Sequence, residues 1–216
     1  MRTSTRLSLV SLLGLSGALP ACGSPAGTTI ADAGTQTTPV TITFAPNAPT
    51  VANLTLMTAT MTLSHVHVLG DTPPSGPPPG PKPMEMDSVT FDAIVAGGSL
   101  TLTPPPGLYS RVQFTVENVM LAGTWDGTPF TAHLATFQGP RVDLRAATAV
   151  EVVSGADAGV VAFTVAVDPA SWFAAPSPLD GLMPDMTTNT ISCDDMTNAA
   201  AAMTLTTRIG QSFSLR

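Results

Sequence analysis

Arg111-Val112-Gln113-Phe114-Thr115-Val116-Glu117 alternates polar and apolar residues without a break. Successive side chains of a strand point to opposite faces. Val112, Phe114 and Val116 therefore share one face, and Arg111, Gln113, Thr115 and Glu117 share the other. The pattern is that of a half-buried strand running on to Leu121. Beyond it stands Trp125-Asp126-Gly127-Thr128. Asp-Gly tolerates the positive φ angles of a type I′ turn, so a hairpin is expected there. Thr128 to Phe137 is the returning strand, and pairing outward from the turn sets His133 opposite Met120.

The same alternation recurs on both sides of this hairpin. Val40-Thr41-Ile42-Thr43-Phe44 is a second half-buried strand. Leu54 to Leu69 is one long strand or two joined ones, and its apolar parity shifts near Ser64, as a β-bulge would make it. Val89 to Val95, Ser99 to Thr103, Arg141 to Leu144, Val150 to Val153 and Val160 to Val167 complete the strand set. Short strands with turn signals at close intervals specify an all-β fold, here a single antiparallel β-sandwich over residues 40–216. Residues 71–83 are dense in proline, which cannot donate to a ladder, and form a surface loop. The tail has two readings. Asp194 and Asp195 ahead of Ala199 to Ala202 fit a short helix. Met203, Leu205, Ile209, Phe213 and Leu215 share one parity and fit a closing strand, which is the preferred reading.

Composition limits what such a domain can do. The chain has 216 residues, with 8 Lys+Arg against 15 Asp+Glu and a net charge of −7. Its one lysine is Lys82, so no basic stripe exists to neutralise phosphates, and nucleic acid is excluded as a partner. At 44% hydrophobic and 11% charged residues it is not disordered throughout. Two cysteines are too few for a disulfide scaffold.

The first residues are an address. Arg2 and Arg6 give a basic start, and Leu7 to Leu19 runs without a charge. That run is shorter than the ~20 apolar residues a spanning helix needs. Leu19-Pro20-Ala21-Cys22 follows, and it resembles the bacterial lipoprotein signal. Pro20 departs from the pattern, which prefers a small or β-branched residue there. The resemblance implies cleavage after residue 21 and acylation of Cys22. The acyl chains would then hold the protein on a membrane. Gly23 after the cysteine implies the outer membrane in a cell that has two. Residues 22–39, rich in Gly, Ser, Thr, Ala and Pro, read as a flexible tether. Cleavage would also remove Arg2 and Arg6 and leave a more acidic chain whose one free thiol is Cys193.

A second resemblance covers about residues 40–170. Pro105-Pro106-Gly107-Leu108-Tyr109 ahead of the Val112/Phe114/Val116 strand is similar to a turn in an uncharacterised family of envelope lipoproteins. Asp126-Gly127, Phe91-Asp92 and Val167-Asp168-Pro169 match its other short motifs. It implies a β-sandwich on a lipid anchor and no known chemistry.

Few side chains suit chemistry. His65-Val66-His67 places two imidazoles on one strand face, a spacing that suits one metal ion, with His133 as a third candidate ligand. Imidazole together with soft sulfur from methionines or Cys193 suits Cu or Zn. The methionines also read as flexible apolar filler. Cys193 lies beside Asp194 and Asp195, a setting that disfavours a reactive thiolate. Asp180, Asp185, Asp194 and Asp195 cluster in the tail without the spacing of a calcium loop, and read as a solvated acidic segment. Trp125 at a hairpin tip and Trp172 after Asp168-Pro169 are candidate ligand-contact aromatics, with a plug at the end of the core as the preferred reading of Trp172. Gly-x-Ser-x-Gly, His-Glu-x-x-His and phosphate-cradling loops are missing from the sequence. The expectation is a lipid-anchored envelope protein that binds or supports without catalysis and needs no cofactor. A protein or carbohydrate partner would suit its aromatics. The alternative is a Cu- or Zn-handling protein using His65, His67 and His133.

Overall fold

The computed structural model describes residues 38–47, 49–70, 88–135, 139–153 and 160–216. The signal segment, Cys22, nearly all of the tether and the proline-rich loop lie outside the described residues. Ten strands and one α-helix follow in order. They are β1 (Val40–Pro46), β2 (Leu54–Leu69), β3 (Val89–Asp92), β4 (Gly98–Leu102), β5 (Gly107–Trp125), β6 (Thr128–Ala135), β7 (Arg141–Val152), β8 (Val161–Val167), β9 (Ile191–Asp194), α1 (Ala199–Gln211) and β10 (Phe213–Leu215). A 3-10 helix spans Pro169–Phe173. The fold is all-β with one short C-terminal helix. Among the described residues, no helix is long and apolar enough to cross a membrane.

Two sheets share one core. The first has the order β10-β8-β1-β4. The second runs β3-β2-β5-β6-β9, with β7 also paired to β5. β5 is its spine: β2 flanks it on one side, and β6 and β7 share the other by pairing with its two halves. Phe44 of β1 stacks on Phe91 of β3 at 5.3 Å and meets Phe114 of β5 edge-on at 5.6 Å. Phe114 in turn meets Phe213 of β10 at 4.9 Å. Rings from both sheets thus interlock, the geometry aromatic pairs prefer.

The antiparallel expectation needs correcting, because both sheets are mixed. β1 runs parallel to β8, and β6 runs parallel to β9. Parallel neighbours need a long crossover between them. Such pairs join segments distant in sequence, which alternation within a single strand cannot reveal. β9 itself was not anticipated. Arg141 to Leu144 and Val150 to Val153 are the two ends of one strand, β7.

The tail also corrects the preferred reading. Residues 199–211 form a helix, and only Phe213–Leu215 closes the sheet. Ala201, Ala202, Leu205 and Ile209 are buried at helical spacing, while Met203, counted toward the strand, is exposed. Arg208 fixes α1 in place. Its guanidinium donates to the backbone carbonyls of Trp172 (3.3 Å), Ala174 (2.6 Å) and Pro176 (2.9 Å).

Between β3 and β4 the chain passes from one sheet to the other. Asp92 Oδ1 accepts from the Ile94 and Val95 amides at 2.8 and 3.2 Å, closing the turn. Gly97 sits at φ 61°, and a Cβ there would meet the Phe44 carbonyl oxygen at 2.2 Å. Only glycine fits that approach.

Candidate functional site

The outer face of the second sheet carries the densest polar constellation. It is built where β2, β5 and β7 run side by side. His67 of β2 lies opposite Gln113 of β5, and Gln113 lies opposite Asp143 of β7. The neighbouring rows set Leu69, Arg111 and Arg145 in line on one side, and Ser64, Thr115 and Arg141 on the other.

Side-chain bonds tie these rows together. Gln113 is 5% exposed although it faces away from the core, because its neighbours close over it. Its Nε2 donates to Asp143 Oδ2 at 3.2 Å, and its Oε1 accepts from Arg141 Nη2. His67 Nε2 lies 2.8 Å from the same Oε1, and His67 Nδ1 lies 2.7 Å from the His65 carbonyl oxygen. Arg111 grips Asp143 with two nitrogens, Nε donating to Oδ1 at 3.0 Å and Nη2 to Oδ2. The Arg111 hydrogen bonds lead in holding the Asp143 carboxyl below the usual carboxylate range, helped by the Arg111 charge, Gln113 and the Arg141 charge, while partial desolvation opposes them. A planar guanidinium matched to both carboxylate oxygens is the stronger form of such a pair.

The expected bulge near Ser64 is present and shapes this face. Pairing steps from Ser64–Thr115 to His67–Gln113, so His65 and Val66 together oppose Phe114. His65 takes φ 51°, a left-handed conformation in which His is enriched among non-glycine residues. Its Nδ1 lies 2.9 Å from Ser64 Oγ and 3.9 Å from Glu117 Oε1, and Ser64 Oγ donates to that same oxygen. A second shift at Glu117 moves the inward parity of β5 from Val112, Phe114 and Val116 to Val119, Leu121 and Trp125.

The three histidines do not converge. His65 bonds toward Ser64 and Glu117, and His67 bonds toward Gln113. Both ring nitrogens of His67 already lie against oxygens. His133 pairs with Met120 as the turn register required, and Met120 pairs with Thr60. Strand spacing and rise put His133 roughly 15–20 Å from His65. Among the described residues, no group of three or more His, Cys, Asp or Glu is placed to hold a metal ion.

The aromatics are equally clear. Trp125, the candidate ligand contact beside the hairpin tip, is 7% exposed. It falls on the inward parity of β5 and stacks over Phe173 at 6.4 Å. The tip itself is Asp126 and Gly127, at φ 49° and 77°, as the type I′ turn demands. Trp172 is wholly buried beside Phe173 and plugs the end of the core. Neither tryptophan offers a face to a ligand.

The acidic tail residues serve their own loops. Asp185 Oδ1 accepts from the Thr187 and Thr188 amides at 2.8 and 2.9 Å. Asp194 Oδ1 accepts from the Met196 and Thr197 amides at 2.8 and 2.6 Å. These backbone bonds lead in lowering both carboxyls below the ordinary range. Cys193 is buried, and desolvation together with Asp194 pushes its thiol up to about 11. The thiol is therefore protonated and a poor nucleophile at neutral pH.

Gln113, Glu117, Arg141 and Asp143 were not singled out from the sequence. The signal for half of them was visible, since Gln113 and Glu117 share the polar parity of the opening stretch. What brings Asp143 and Arg141 to them is the pairing of β7. The face that results is a polar network in which guanidinium and imidazole groups are bonded to one another's neighbours across three strands. No protein-family model matches the chain, and neither a curated protein nor a solved structure was found to be similar to it.

Proposed function

We propose that this chain is a lipid-anchored cell-envelope protein whose β-domain acts as a binding or structural module and not as an enzyme. The observation that carries the reading is Leu19-Pro20-Ala21-Cys22 after a basic start and a short apolar run. Acyl chains on Cys22 hold the protein at the membrane, since each buried CH₂ contributes about 0.8 kcal/mol and two or more chains anchor stably. In a cell with two membranes, Gly23 favours the outer one. The His67–Gln113–Asp143–Arg111 face is the surface best suited to a polar partner.

Cys22→Ala tests the anchor. Cells expressing the chain and the variant are fed labelled palmitate, and membranes are separated from soluble protein. The expected result is label and membrane association for the parent and neither for the variant. Continued labelling of the variant overturns the anchor.

A further inference from the structure

Methionine is the residue whose placement departs furthest from ordinary packing. Met57, Met120, Met183, Met186, Met196 and Met203 are exposed, and Met61 alone of the described methionines lies in the core. Met186 and Met196 stand wholly in water, at 104% and 97% exposure. The described phenylalanines, by contrast, are all buried. These six methionines are thus not the apolar filler their flexibility suggests. An apolar side chain left in water gains nothing from burial. What methionine carries that leucine or phenylalanine does not is a thioether sulfur.

Four of the six fall within one short segment. Met183 and Met186 precede β9, Met196 lies in the turn after it, and Met203 projects from the side of α1 away from Ala202, Leu205 and Ile209. Cys193, at the centre of that segment, is buried at 1%. The reactive sulfur therefore lies outside, and the other two described sulfurs, Met61 and Cys193, lie inside.

We propose that the exposed methionines form a sulfoxidation surface that consumes hydrogen peroxide without loss of the fold. The sulfur lone pair attacks one peroxide oxygen. A sulfur–oxygen bond forms and the oxygen–oxygen bond breaks. Sulfur gives up two electrons, and proton transfer leaves a sulfoxide and one water. At Met186 or Met196 the product is a polar group already in water. At Met61 the same step would bury an unpaired polar oxygen and disrupt the core. The inference is independent of the lipid anchor.

The test is graded peroxide treatment of the purified chain, followed by peptide mass mapping, thiol titration and melting. Sulfoxides, each about 16 Da heavier, are expected at the six exposed positions first. Met61 should stay unmodified, Cys193 should remain a thiol, and the melting temperature should hold. The variant Met183→Leu/Met186→Leu/Met196→Leu/Met203→Leu should melt like the parent and consume less peroxide. Oxidation of Met61 or Cys193 in step with the six overturns the proposal. So does a melting temperature that falls as surface sulfoxides accumulate, or a leucine variant that consumes as much peroxide as the parent.

Discussion

The two halves of β5 share one strand and one core but differ on the outside. Residues 107–115 pair with β7, and there Arg111 and Gln113 are drawn into bonds with Asp143, Arg141 and His67. Residues 118–125 pair with β6, and the outer face carries Met120 opposite His133 and Thr124 opposite Pro129. Inside, both halves are alike, with Phe114 and Leu121 each in the same cluster. The difference teaches that the inner parity makes the fold, while the neighbour across the outer face decides which half is ordered by charge.

That contrast can be broken or sharpened by substitution. The largest effect belongs to the shared interior. Phe114→Ala removes a ring that contacts Phe44 and Phe213, and is expected to cost about 3–5 kcal/mol, with Leu121→Ala about 2–5 kcal/mol, read by urea unfolding. If only one half responded, the single-core description would fail. Next comes Gln113→Leu. It strips buried bonds from Asp143, Arg141 and His67, and a loss of about 1–3 kcal/mol is expected. The matched change on the other half, His133→Ala, should stay within about 0.5 kcal/mol, since it alters an exposed side chain.

The smallest effect is electrostatic. Asp143 has a folded pKa below its unfolded one, so its stabilisation is present above the unfolded value of about 3.9 and is lost as pH falls below it toward the folded value. The pair is more than a third exposed at Asp143, so it is worth only about 0.2–1 kcal/mol. Melting followed from pH 7 to pH 3 should show a smaller acid loss for Asp143→Asn than for the parent. Equal losses would mean the Arg111 grip contributes nothing. The opposing half, which carries no such pair in the strand, should show no matching step on substitution of Met120.

Legibility followed sequence distance. The alternation at Arg111 to Glu117, the Asp126-Gly127 turn and the His133–Met120 register are set within a few residues of one another, so local rules reach them. The bulge near Ser64 is a change of parity inside one strand, and it too was readable. The β1–β8 and β6–β9 pairings join remote segments. Nothing in Val40 to Phe44 says that its neighbour is Val161 to Val167, or that it runs parallel. The tail failed differently. Leu205 and Ile209 satisfy both a period of two and a period near 3.6, and what chose the helix was packing of Ala201 and Ala202 and the grip of Arg208 on a distant loop. At the candidate site, Gln113 and Glu117 were on the right face, and His65 and His67 were noticed for a chemistry that their hydrogen bonds do not set up.

β1 lies in the middle of its sheet, with β4 on one side and β8 on the other, while β10 covers the far side of β8. Two of those four strands, β1 and β10, come from the two extremes of the domain. That sheet cannot be completed while only the first hundred residues exist, and its contacts between remote segments close the largest loops. A growing chain can pair β1 with β4 once residue 102 is available, but the other edge of β1 stays open until residue 161 and that of β8 until residue 213. The sheet gains its last strands only as the C-terminal residues become available, so an order of assembly is written into the topology.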